Sequence, residues 1–105
     1  MDSVNEGSTS YLTVAFKDRD GTPVTPSVAT YSVTDKSSGE VIRPDTNITS
    51  LSSEVTITLL PGDNVILDDD NVTETRVITV KSTFGSANEI LNDTHEYEVV
   101  NLSQV

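Results

Sequence analysis

Polar and apolar residues alternate over most of this chain. Tyr11-Leu12-Thr13-Val14-Ala15-Phe16, Val55-Thr56-Ile57-Thr58-Leu59, Val77-Ile78-Thr79-Val80 and Tyr97-Glu98-Val99-Val100 all carry the period-two signature. Successive side chains of a strand leave by opposite faces, so each segment buries one face and wets the other. The first strand is expected over about Thr9 to Lys17, with Leu12, Val14 and Phe16 on one face. A second over Val28 to Asp35 groups Ala29, Tyr31 and Val33. A short third around Val41-Ile42-Arg43 is expected to end at Pro44, which lacks the N–H a ladder needs.

Further along, Ile48 to Leu51 is weakly patterned and reads as strand or loop, while Glu54 to Leu60 is a strand closed by Pro61-Gly62. Asp63 to Leu67 is long enough for one helical turn only. The strongest strand spans about Glu74 to Phe84, and the last about His95 to Leu102. Asp18-Arg19-Asp20-Gly21, Lys36-Ser37-Ser38-Gly39 and Gly85-Ser86-Ala87-Asn88 supply the turns. No segment repeats with a helical period. The pattern predicts an all-β chain, an immunoglobulin-like or fibronectin-III-like β-sandwich of about seven short antiparallel strands, with a small barrel as second choice. The cysteine pair and core tryptophan of antibody domains are absent from the sequence.

The 105 residues suit one domain. Residues 1–8 are polar and read as a flexible N-terminal arm, leaving 9–105 as the sandwich. The core must be light, because hydrophobic residues make up 34% and aromatics 5%. Strand Val, Ile and Leu have to supply what the few rings do not.

Charge removes several partners. Seventeen acidic residues against six basic ones give a formal net charge of −11. Phosphate binding needs clustered Lys and Arg, but Lys17, Arg19, Lys36, Arg43, Arg76 and Lys81 are scattered, so neither nucleic acid nor an anionic membrane is an expected partner. Acidity favours solubility, and it also complements a basic surface on a larger assembly. Zero cysteines exclude disulfides and thiolate metal sites. The first residues carry neither a basic region nor an apolar stretch of the kind a secretory signal has.

Little in the chain nominates chemistry, and no enzyme activity or cofactor is expected. Asp18-x-Asp20-Gly21 begins like a calcium loop, but the twelfth position, Ala29, offers no bidentate carboxylate. Asp68-Asp69-Asp70, with Asp63 nearby, is the densest acidic cluster and the weak metal candidate; a solvated connection is the plainer reading. His95 has no nucleophile nominated to accompany it. Arg76 stands out, pairing with Glu74 or a neighbouring strand's carboxylate, or reaching a partner chain.

One resemblance covers almost the whole chain. Val4-Asn5-Glu6-Gly7, Ser10 through Gly21, Pro23 to Pro26, Tyr31, Asp63-Asn64, Glu74-Thr75-Arg76, Phe84-Gly85 and Tyr97 through Leu102 resemble a family of small proteins encoded in tailed-bacteriophage and prophage genomes. The resemblance implies an immunoglobulin-like sandwich serving as a virion component of the head or the head–tail neck. It would be made in the host cytoplasm and present in many copies. The implied partners are the major capsid protein or portal and neck proteins, together with copies of the chain itself. No catalytic residue comes with it. Partner contacts are expected at Val4 and Asn5 in the arm, at Tyr11 and at Arg76. The alternative is a bacterial surface or adhesin-like sandwich module, calcium-dependent through Asp68 to Asp70.

Overall fold

The computed structural model describes residues 2–17, 20–84 and 89–104. Among them are seven strands: β1 (Asp2–Asn5), β2 (Ser10–Ala15), β3 (Val28–Asp35), β4 (Val41–Asn47), β5 (Glu54–Leu59), β6 (Thr73–Phe84) and β7 (Glu89–Val100). Two short 3-10 segments, Pro61–Asn64 and Leu102–Gln104, complete the regular structure. The strands form a five-stranded sheet in the order β1-β7-β6-β3-β4 and a two-stranded sheet, β2-β5. The chain is therefore all-β, with two sheets compatible with a sandwich.

Alternation dictates the core. Val14 and Phe16, with Val55, Ile57 and Leu59, face inward from the small sheet. Ala29 and Val33 of β3, Ile78 and Val80 of β6, and Tyr97 and Val99 of β7 meet them from the large one. Each fully buried aliphatic side chain contributes roughly 1.5–3 kcal/mol, so these eleven residues hold the sheets together despite the low hydrophobic content. Along β6 the buried face changes character, from Glu74 and Arg76 at one end, through Ile78 and Val80, to Ser82. One pole of the domain is thus polar inside.

Three strands depart from expectation. Residues 1–8 are not a loose arm in the part described, because Asp2–Asn5 lies parallel to β7, pairing Asp2 with Tyr97 through Asn5 with Val100. The register leans Val4, opposite Val99, against the core. That strand is also parallel, where only antiparallel strands were expected. Pro44 does not end β4; the strand runs on to Asn47, and the register against β3 shifts between Tyr31 and Val33, around Pro44. A bulge on an edge strand is one of the few sheet positions a proline tolerates. Finally, β7 is twelve residues long, because it begins at Glu89, paired with Phe84, instead of at His95.

Elsewhere, Val28–Asp35 has the expected bounds and Ile48 to Leu51 is loop, whereas the single turn, expected over Asp63 to Leu67, falls earlier, at Pro61–Asn64. At Lys36-Ser37-Ser38-Gly39 the chain turns with Gly39 at φ 75, while Ser38 N–H and Oγ both donate to Asp35 Oδ2. Asp18 and Arg19 of one expected turn, and Gly85 to Asn88 of another, lie outside the described residues.

Candidate functional site

The polar pole is built around Arg76, which is entirely buried. The β3–β6 register sets Asp35 directly across from it, and Nη1 donates to Asp35 Oδ1 at 2.7 Å. Nη2 donates to Glu74 Oε1 at 2.9 Å and to the Val65 carbonyl, while Nε has no partner. An arginine so placed has no reach to another chain. The expected contact of Arg76 with a partner is therefore wrong, and its intramolecular pairing is the observed role.

Glu74 organises the acidic loop. Its carboxylate accepts from Leu67 N–H at 2.9 Å, Asp68 N–H at 3.0 Å and Asn71 Nδ2 at 2.9 Å, besides Arg76. Burial pushes its pKa up, but the bonds from Leu67, Asn71, Arg76 and Asp68 together outweigh burial and hold it at about 2. The backbone around Asp68 and Asp70 is thus folded onto an anion rather than round a cation. Asp70 N–H donates to Asp68 Oδ1 at 3.0 Å, closing a small turn. Among the described residues no three or more His, Cys, Asp or Glu side chains, Asp68, Asp69 and Asp70 included, form a group that could hold a metal ion.

A second set of bonds extends the pole to the N-terminal segment. Asp63 receives Arg43 Nε and Nη2 at 2.9 and 3.0 Å, and Leu60 N–H at 2.8 Å. This hydrogen-bonded pairing raises the Arg43 pKa against the opposing effect of burial. Buried Asn64 accepts from Tyr97 Oη at 2.8 Å and donates to the Ser8 carbonyl at 2.8 Å and to Ser10 Oγ at 3.2 Å. Burial pushes the Tyr97 phenol up to about 12, with nearby Asp63 adding to it and Arg76 opposing. Asn101 closes the far side by donating to the carbonyls of Asp69 and Asn71.

These bonds fasten strands and loops together at the pole, where Arg76 Nε is left without a partner among the described residues. Sequence reasoning missed Asn64, Asn101 and Asp63 because a buried Asn reads like a loop Asn until its partners are known. The Asp63-Asn64 pair after Pro61-Gly62 was the available signal, a polar turn at the foot of a strand.

The exposed features lie elsewhere. Tyr11 is 70% exposed on the outer face of the small sheet, beside Thr58. Val4 is half-buried against the core, whereas Asn5 is exposed. His95 Nε2 lies 3.6 Å from Asp93 Oδ2 and makes no hydrogen bond among the described residues. Beside the free side of β5 runs a groove of about 430 Å³, lined by Tyr31, the Asn47–Ser50 segment and Glu54–Thr58. Lys36, Arg43, Arg76 and Lys81 all pair with carboxylates within the chain, which leaves the outward field acidic. No family model, curated protein or solved structure matches this chain.

Proposed function

We propose that this chain is a non-enzymatic structural protein of a tailed-bacteriophage virion, with an immunoglobulin-like sandwich, attached in several copies to the head or the head–tail neck. The family resemblance of the sequence motivates the reading, and strand order is the observation that carries its immunoglobulin-like part. In an immunoglobulin domain strands B and E share one sheet while C, F and G share the other, with C′ added in variable types. Here β2-β5 takes the B–E place, and β7-β6-β3-β4 reads as G-F-C-C′. The attachment half is supported by where polar groups are used. Buried charges are tied to each other, and the exposed features are sheet edges, an aromatic and an acidic field suited to a basic rim.

The test is binding of the purified chain to particles from a strain lacking its gene. The proposal expects uptake that saturates at a fixed number of sites per particle and weakens as salt screens the acidic surface. No uptake, or uptake that grows without saturating, contradicts it.

A further inference from the structure

The hydrogen-bond phase of the small sheet fixes which backbone groups of β5 have no strand partner. Phe16 N–H donates to the Ser53 carbonyl at 2.7 Å. Hydrogen-bonded pairs alternate along an antiparallel ladder, so Val14–Val55, Leu12–Ile57 and Ser10–Leu59 are bonded as well. The N–H and C=O groups of Glu54, Thr56 and Thr58 therefore point to the open edge. The Ser52 hydroxyl answers both groups of Glu54. Thr56 and Thr58 present theirs to the groove.

We infer that β5 is an interface between two copies of this chain, paired antiparallel across a two-fold axis at Thr56 into a continuous β2-β5-β5-β2 sheet. Three observations carry it. First, β5 is an unguarded edge. β4 carries Pro44, a bulge and charges at Arg43 and Asp45, and the free stretch of β7 carries exposed Asp93 and Glu96. Such devices block edge-to-edge pairing, but β5 is six residues in unbroken register with one charge, at its end.

Second, the edge is self-complementary. The three outward-bonding positions are symmetric about Thr56, so the two-fold sets Thr56 against Thr56, and Glu54 against Thr58 once Glu54 exchanges its Ser52 hydroxyl for the Thr58 backbone. The two Glu54 residues then stand four residues apart, about 14 Å, beyond the Debye length of about 8 Å at physiological salt. Inward-facing Val55 meets Ile57 and adds to the core on both sides.

Third, there is room. Strand E of a seven-strand sandwich has D beside it, a position no strand of the described residues fills, and the groove lies there with Glu54 as its one charged lining residue. The edge of β2 is uncharged as well, but Val4, His95, Glu96 and Tyr97 crowd it, leaving a cavity of only about 40 Å³.

The inference deepens the proposed multi-copy role and rests on it for biological meaning, but sedimentation of the purified full chain tests it without particles. The expected result is a dimer, with a dimer fraction that rises between about 0.1 and 1 M salt, where the Debye length falls from about 10 to 3 Å. Thr56→Asp sets two carboxylates opposite each other and abolishes the dimer. Thr13→Asp adds the same charge on β2, three strand spacings from its copy, and leaves the dimer intact. Both variants substitute exposed outer-face positions, and circular dichroism checks that each stays folded. A wild-type monomer at every salt overturns the inference, as does equal behaviour of the two variants or loss of the dimer in Thr13→Asp alone. A monomer that still binds particles separates this failure from failure of the virion reading.

Discussion

Asp35 and Arg76 stand directly opposite each other on β3 and β6, joined by a 2.7 Å hydrogen bond in a place where the arginine has no contact with water. The pair decides how the polar pole holds together. Removing one partner of a buried ion pair strands the other charge, which destabilises by about 3–5 kcal/mol. Arg76→Ala strands two, Asp35 and Glu74. Urea unfolding is expected to show a loss in that range, whereas Arg76→Met combined with Asp35→Leu and Glu74→Gln recovers much of it. A loss below about 1 kcal/mol for Arg76→Ala, the value of an exposed pair, would show that the pole is not dry.

Acid sensitivity follows from Glu74. Its folded pKa of about 2 lies below the ordinary 4.5, so its contribution is fully present above pH 4.5 and fades as pH falls through 2. The size is on the order of 3 kcal/mol from the shift alone. Chemical denaturation at stepped pH should show stability falling over that window, with a shallower fall in Glu74→Gln. Equal acid limbs for the two proteins would contradict the assignment.

On the alkaline side Tyr97 sets the limit. Its folded pKa is raised to about 12 from 10, so the neutral phenol stabilises the fold fully below pH 10 and that contribution is lost as pH rises through 12. Phenolate absorbance is expected to contain a late-titrating component that disappears in Tyr97→Phe. The same substitution leaves the Asn64 carbonyl without its donor, a loss of about 1–3 kcal/mol.

The N-terminal segment is structural. Deleting residues 1–8 removes the β1–β7 ladder, the Val4 packing and the Ser8 acceptor of Asn64. Net hydrogen-bond values of about 0.5–1.5 kcal/mol each make the loss at least on the order of 2 kcal/mol. Thermal unfolding of the truncated chain should show a midpoint lowered by several degrees; an unchanged midpoint would return the segment to the status of a loose arm.

How far the fold was legible follows from these same residues. Period-two alternation located β2, β3, β5 and β6, because each has a dry face and a wet one. It failed at β1, whose Asp-Ser-Val-Asn has one apolar residue and becomes a strand only by borrowing the edge of β7. It failed also at the start of β7, where Ile90 and Leu91 are exposed on a long hairpin and no buried face imposes a pattern. Arg76 was singled out correctly as unusual, but a sequence does not say whether a strand arginine looks in or out. That depended on Glu74, Asp35 and Val65 converging on it, a long-range fact. The β5 groove is likewise invisible locally, since it exists only because the small sheet stops at two strands.

The central claim is that this chain is a built part of a phage particle, and peptide mass spectrometry with copy-number estimation on purified particles of the encoding strain tests it most directly. The account predicts the chain in the particle at an even, symmetric copy number: hundreds for decoration of the head, or about six to twelve for a ring at the neck. Particles that are complete and infectious without a trace of the chain would contradict it.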